Sequence, residues 1–151
     1  MLPIKKILCP TDFSDPSYEG LKAANELADH HSAELILLYA VTPMPVIPAT
    51  GALTGFQLPS ILKEMEEKAA EMMAHLKAEK VKKDINSRSM VIHGNPTDVI
   101  VKTAEEEKAD LIVIATHGES GWRRFISGSV TERVVRMASC PVVAIPAPSE
   151  E

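Results

Sequence analysis

Apolar residues occur along the chain in two alternating patterns, short continuous runs and longer stretches in which they recur every three or four positions. Continuous runs are typical of strands buried on both faces of a parallel sheet, and the spaced pattern is typical of helices with one apolar side. Helices are predicted to begin near Ser14, Pro59, Asn95 and Ser129. The continuous runs predict five strands, at residues 4–10, 34–41, 87–93, 110–115 and 140–146. This strict alternation predicts an α/β fold, a five-stranded parallel open sheet with helices on both faces.

The same pattern predicts the domain organisation. The chain of 151 residues shows no internal repeat and no linker, so residues 1–146 are expected to form a single domain. Residues 147–151 are expected to be a disordered tail. Residues 42–58 hold three prolines and two glycines, and this composition predicts a long loop.

Charge and composition exclude several classes of function. The chain has 16 basic and 21 acidic residues, a net charge of −5, and only 4% aromatic residues. Nucleic-acid binding requires a basic face or aromatic platforms, so we expect no nucleic-acid partner. Cys9 and Cys140 lie far apart in sequence and are predicted to be free interior thiols rather than metal ligands. Because no apolar segment is long enough for a signal peptide or a membrane span, we expect a cytoplasmic protein without membrane contact.

Two loops that follow predicted strands carry residues suited to ligand binding. Ligands of open parallel sheets bind beyond the carboxyl ends of the strands, where the winding reverses. The first loop, CPTDFSD, places Asp12 just after the first strand. Its carboxylate can accept a hydrogen bond from a ribose hydroxyl or hold a metal ion through water. The alternative is an Asx turn that leads into a helix capped by Ser14.

The second loop is the stretch ATHGESGWRRFISGSV, residues 115–130. It is about twice as long as an ordinary strand-to-helix connection of roughly 2–6 residues. Its glycines allow the backbone to approach a ligand closely, and Ser129 stands at the start of a helix, where free N–H groups favour anions. This combination indicates a phosphate-binding loop. The alternative is a glycine-rich surface turn.

Nearly the whole chain resembles the universal stress proteins of the single-domain type. The nucleotide-binding branch of that family carries G-x-x-G, nine residues, and then G-S or G-T. Here Gly118 is followed by ESGWRRFIS and then by Gly128 and Ser129, whereas the first glycine is replaced by Ala115. The resemblance implies strand order 3-2-1-4-5, which places the two loops side by side. The matching segments are KKILCPTDFSDPS, ELILLYAV, HGNPTDVIVKTAEEEKADLIVIATHGESG and GSVTERVVRMASCPVVAIP.

The resemblance also implies the residues of an adenine-nucleotide site. Asp12 would lie near the ribose, and Ala40 would offer backbone groups to the adenine edge. Residues 115–118 would line the ribose and phosphates, and residues 128–131 would close over the phosphates. The complete predicted set is Pro10, Thr11, Asp12, Ala40, Ala115, Thr116, His117, Gly118, Glu119, Ser120, Gly121, Gly128, Ser129, Val130 and Thr131.

Some side chains of the second loop leave two interpretations open. His117 either contacts the nucleotide or makes a structural hydrogen bond within the loop. Arg123 and Arg124 either neutralise phosphates or form an exposed basic pair. Trp122 serves either as a lid or as a hydrophobic anchor.

The function implied is that of a regulatory stress-response protein that acts as a nucleotide-dependent switch. It would bind ATP or AMP, with or without Mg²⁺ held through the phosphates rather than by protein ligands. One alternative is a slow ATP hydrolase, although the P-loop pattern G-x-x-x-x-G-K-[ST] is absent from the sequence. The other is a nucleotide-free dimeric stress protein, because Ala115 departs from the motif. No catalytic residue is predicted.

The last predicted strand suggests self-association. Family members commonly dimerise through this strand, and residues 141–145 form an apolar edge that would otherwise be exposed. We therefore expect a homodimer built on Pro141–Ile145. A regulatory protein partner is also expected, although the sequence does not identify it.

Overall fold

The computed structural model describes residues 3–42, 58–116 and 129–146. Five parallel strands form one sheet in the order β3-β2-β1-β4-β5, which confirms the predicted fold class. Most of the predicted loop 42–58 and the predicted tail 147–151 lie outside the described residues. The elements are β1 (Lys6–Pro10), α1 (Asp15–His31), β2 (Glu34–Val41), α2 (Leu58–Lys80), β3 (Ser87–His93), α3 (Pro96–Glu107), β4 (Leu111–Ala115), α4 (Ser129–Met137) and β5 (Val142–Ile145).

The helices cover both faces of the sheet, as the continuous apolar runs predicted. Alternate residues of β1 enter opposite cores: Ile7 and Cys9 pack with α1 and α2, and Leu8 packs with α3 and α4. All three of these side chains have 0% exposure. Burial raises the pKa of the Cys9 thiol to about 12, so this group is a protonated core residue. Both cysteines are free, and Cys140 is half-buried.

Polar caps fix where two of the helices begin. Ser14 has extended backbone angles, and its hydroxyl accepts the N–H of Ser17 at 3.3 Å. Asn95 does the same for α3, where its side-chain oxygen accepts the N–H groups of Thr97 and Asp98 at 3.0 and 3.4 Å. Both predicted caps are confirmed.

Hydrogen bonds and ion pairs of charged side chains stabilise the amino edge of the sheet, where the strands begin. The carboxylate of Asp110 accepts the backbone N–H groups of Lys5 and Lys6 at 2.9 and 3.0 Å, which ties the start of β4 to the start of β1. Arg88 of β3 pairs with Glu34 at 2.7 Å and also with Glu107. The hydrogen bond from Arg88 holds the pKa of Glu107 below its ordinary value. These contacts stabilise the amino edge, whereas the opposite edge carries the predicted site.

Candidate functional site

The carboxyl ends of β1 and β4 are neighbours in the sheet. Ile7 pairs with Leu111 and Leu8 with Ile112, so both strands end at the same edge. The chain runs from β1 outward through β2 to β3 and then crosses to β4 on the other side of β1. This reversal is the switch point at which open α/β sheets bind their ligands. The two loops singled out in the sequence therefore start from adjacent strand ends.

The loop after β1 is held by a buried hydroxyl. The N–H of Thr11 donates to the carbonyl of Leu38 at 2.8 Å. Its hydroxyl accepts the N–H of Phe13 at 3.1 Å and lies 3.0 Å from the hydroxyl of Ser17. Thr11 and Ser17 are both buried. Because the hydroxyl of Thr11 is enclosed by protein groups, its contribution is to the shape of the loop.

Phe13 adopts a backbone conformation that side chains rarely take. Its φ of 64° lies in the left-handed region, which costs a non-glycine residue about 1 kcal/mol or more. Two contacts offset this cost, the hydrogen bond to Thr11 and the packing of its ring against Tyr39, with ring centroids 4.8 Å apart. The turn thereby leaves Asp12 exposed at the end of β1.

Asp12 forms the Asx turn that the sequence offered as one of two alternatives. Its Oδ1 accepts the backbone N–H of Ser14 at 3.0 Å and also the hydroxyl of Ser14. Within the described residues, its Oδ2 makes no hydrogen bond. An Asx turn and a ligand contact are compatible, because each uses a different oxygen of the carboxylate.

Pro10 and Ala40 are predicted site residues that lie at the carboxyl ends of β1 and β2. Pro10 is the last residue of β1 and pairs with Leu38. Ala40 is the penultimate residue of β2 and pairs with Ile92 of β3. Both are half-buried, so part of each lies open at the carboxyl edge.

The end of β4 is tied to the first turn of α4. Ala115 pairs with Ile145, and the N–H of Thr116 donates to the carbonyl of Ile145 at 2.9 Å. The hydroxyl of Thr131, which is buried, donates to the carbonyl of Ala115 at 2.7 Å. The resemblance implies that Thr131 is among the residues that close over the phosphates, and in the structure its hydroxyl ties α4 to the end of β4.

Helix α4 begins at Ser129, as the sequence predicted. Ser129 is exposed and Val130 is half-buried. The first N–H groups of a helix have no partners within it, so this end presents donors. Six predicted site residues lie outside the described part of the chain, namely His117, Gly118, Glu119, Ser120, Gly121 and Gly128. The side chains at 122–124, for which the sequence left two interpretations open, also lie outside it.

Gly20 of α1 packs against the predicted site residue Ala115, a contact that we did not predict. A Cβ placed on it would lie 3.2 Å from the backbone nitrogen of Ala115 and 3.6 Å from its methyl group. The methyl of Ala115 thus lies beside a position without a side chain. A glycine in a helix interior costs about 1 kcal/mol relative to alanine, and this cost is the sequence signal that could have drawn attention to it.

Within residues 3–42, 58–116 and 129–146, no group of three or more His, Cys, Asp or Glu side chains is arranged to hold a metal ion. No helix in this part of the chain combines the length and the apolar character needed to cross a membrane.

These features define the class of protein, an open parallel α/β sheet with adjacent strand ends at its switch point and a structured loop after β1. A model of the universal stress protein family matches residues 3–146, and the chain therefore belongs to this family.

Individual relatives agree with this assignment. Universal stress protein MJ0531 of Methanocaldococcus jannaschii is 37% identical over 149 residues, which cover 97% of this chain and 85% of the relative. The solved structure of protein MJ0577 superimposes with a TM-score of 0.84 at 27% identity, covering 99% of this chain and 100% of that one. A universal stress protein solved in complex with cAMP has a TM-score of 0.60 at 27% identity, covering 93% and 95% of the two chains.

The packing of Gly20 against Ala115 predicts the sign of a stability change. In Gly20→Ala, the added methyl meets a strand backbone atom that cannot rotate away, and such overpacking costs about 1–3 kcal/mol. The gain in helix propensity is about 1 kcal/mol, so the net expectation is a lower free energy of unfolding, measured by urea denaturation. The variants Lys22→Gly and Lys22→Ala measure the propensity difference at an exposed position of the same helix. The packing argument would be contradicted if Gly20→Ala raised the free energy of unfolding by as much as the difference between Lys22→Ala and Lys22→Gly.

Proposed function

We propose that this chain is a nucleotide-binding regulatory protein that takes ATP or AMP at the carboxyl edge of β1 and β4. The observation that carries the proposal is the juxtaposition of the two strand ends from which the loops start. The parallel pairing of β1 with β4 brings the strand end before Asp12 beside the strand end before residues 116–128. The bond from Thr131 to Ala115 brings the start of α4 to the same edge.

Each part of a nucleotide has a suitable partner at this edge. The exposed carboxylate of Asp12 is an acceptor for ribose hydroxyls, a role that carboxylates play in other dinucleotide-binding sheets. The N–H groups of the first turn of α4, with the hydroxyl of Ser129, are donors for phosphate. Ala40 lies near the carboxyl end of β2, the strand next to β1, and its backbone groups are the proposed partners of the adenine ring. Mg²⁺, where it takes part, is held through the phosphates.

Ala115 stands where the family motif has its first glycine, and this difference is compatible with the proposal. Its methyl lies 3.6 Å from the position of a Cβ on Gly20, so α1 provides space for it. Among the solved structures similar to this chain, one relative at 27% identity was determined with cAMP, an adenine nucleotide. The cAMP belongs to that relative, and its presence there supports the choice of an adenine nucleotide as the ligand of this chain.

Calorimetric titration of the purified chain with ATP·Mg²⁺ and with AMP tests the proposal. We expect saturable binding, and Asp12→Asn should weaken it about tenfold or more, because hydrogen bonds to charged groups contribute about 1.5–3 kcal/mol. Asp98→Asn is the matched control, since it removes one exposed carboxylate from the first turn of α3 at the far end of the same edge. Equal affinity in Asp12→Asn and wild type would place the nucleotide elsewhere.

Two further measurements identify the alternative functions. A protein that carries no nucleotide after denaturation and anion-exchange analysis, and that gives no heat with millimolar ATP·Mg²⁺, is the nucleotide-free stress protein. Release of phosphate above background, lost in Asp12→Asn, identifies a slow ATP hydrolase. The cytoplasmic location and the regulatory protein partner stay predictions of the sequence.

We further propose a homodimer formed along β5, on residues Pro141–Ile145. This strand is an edge of the sheet, and its Val143 is 36% exposed. Val135 and Met137 of the adjoining helix α4 are 54% and 51% exposed, so apolar side chains continue beyond the strand. Unpaired edge strands with apolar side chains are templates for pairing with another chain.

Light scattering at high micromolar concentration tests the dimer. We expect twice the chain mass for wild type and a single chain mass for Val143→Lys, because a charged lysine on an edge strand opposes pairing. Met72→Lys is the control, since Met72 is 40% exposed on α2, which packs against β2 and β3. A monomeric wild type, or a dimeric Val143→Lys, would overturn the proposal.

A further inference from the structure

Helix α4 begins in the candidate site and exposes apolar side chains towards its other end. Its first residue is Ser129, and the hydroxyl of Thr131 donates to the carbonyl of Ala115 at the end of β4. Val135 and Met137, in the second half of the helix, are 54% and 51% exposed. The helix has nine residues and is therefore about 13 Å long. One short helix thus connects the start of the candidate site with an exposed apolar surface.

Exposed apolar groups are concentrated on α4 and β5. Among the described residues, four large apolar side chains are exposed, and three of them, Val135, Met137 and Val143, lie on these two elements. Helix α4 contacts β5, and Val134 and Val142 pack into the same core. A second chain that pairs along β5 therefore meets α4 as its neighbour.

Helix α4 has few side chains that hold it on the sheet. Thr131 and Val134 are the two buried residues among its nine, whereas five of the twelve residues of α3 are buried. A helix of this length is not stable by itself in water, so α4 depends on these contacts. Segments with few buried apolar contacts open locally at a small cost in free energy. The docking of α4 on the sheet is therefore one of the weaker contacts of this fold.

We infer that the docking of α4 couples the two proposed binding events, so that a bound nucleotide tightens the dimer. This inference rests on the proposed function and on the proposed dimer. The phosphates would contact the first turn of α4, and the second chain would cover its exposed side chains. Each partner then stabilises the docked helix, so the second one to bind meets a smaller ordering cost. By linkage, dimerisation tightens nucleotide binding as well.

Sedimentation of the full chain over a range of concentrations, with and without saturating ATP·Mg²⁺, tests the inference. The dimer dissociation constant is expected to fall about fivefold or more with the nucleotide, which is the lower end of typical couplings between two sites. Val143→Lys supplies the reciprocal test by calorimetric titration. As a monomer, this variant should bind ATP·Mg²⁺ more weakly than the wild-type dimer, although Val143 lies outside the predicted nucleotide site.

Amide hydrogen exchange identifies the element that carries the coupling. In monomeric Val143→Lys, ATP·Mg²⁺ should slow exchange at residues 133–137, which lie beyond the turn proposed to contact the phosphates. Exchange within α3 should stay unchanged, because α3 is held by its own buried residues.

A pair of variants at an exposed position of α4 changes its docking directly. Arg133→Gly lowers the stability of the helix relative to Arg133→Ala, so it should weaken nucleotide binding and dimerisation together, by up to about fivefold each. Lys22→Gly and Lys22→Ala make the same comparison on α1, and this pair is expected to leave both affinities equal.

The outcomes separate this inference from the two proposals on which it rests. A dimer dissociation constant that stays the same or rises with nucleotide overturns the inference and leaves both proposals intact. A tighter dimer without slower exchange in α4 also overturns it, because another element would then carry the coupling. A wild type that binds no nucleotide contradicts the proposed function, and one that stays monomeric contradicts the proposed dimer; either result overturns the inference as well.

Discussion

Strand β1 lies at the centre of the sheet, with β2 on one side and β4 on the other, and its three middle side chains are fully buried. A strand enclosed on both faces and both edges has no polar surface of its own. Chemistry can therefore begin only where the strand ends, after Pro10, and the chain becomes polar at that point. The pairing with β4 then determines which second strand end lies beside the first. Every later feature of the candidate site depends on this parallel pairing.

The site is shaped by small groups rather than by large side chains. Thr11 and Ser17 fill the base of the first loop with hydroxyls, and Thr131 uses its hydroxyl to dock α4 on the end of β4. Gly20 allows α1 to approach the same strand end. Since a buried polar group costs free energy unless it is hydrogen-bonded, each of these hydroxyls favours one local geometry. The exposed carboxylate of Asp12 is supported by that rigid base.

Sequence reasoning predicted the fold because its signals are local. The continuous run at residues 34–41 and the caps Ser14 and Asn95 each determine a short segment by themselves, and the structure places them as predicted. The predicted ends of the first and last strands were wrong. The first strand begins at Lys6 and not at residue 4, while β5 is limited to 142–145, with a proline beside each end that cannot donate a ladder hydrogen bond.

The details of the site required contacts between residues far apart in sequence. The hydroxyl of Thr131 donates to the carbonyl of Ala115, sixteen residues earlier, and this bond is visible only once α4 lies beside β4. Gly20 has no motif around it, and its role follows from the approach of a strand 95 positions later. In the sequence, Ser17 is an ordinary serine in the first turn of a helix, and only the structure reveals its hydrogen bond with Thr11. Residues 117–128 stay a prediction from the motif.

The central claim is that an adenine nucleotide binds where β1 and β4 end, and a titration followed by backbone amide NMR tests it most directly. On addition of ATP·Mg²⁺, the account predicts that the largest shifts among the described residues fall on three segments, residues 11–14, 40–41 and 115–116, and on the first turn of α4. The amides of Lys5 and Lys6 at the opposite edge should stay unchanged. Shifts concentrated at that amino edge, or no shifts at saturating nucleotide, would contradict it.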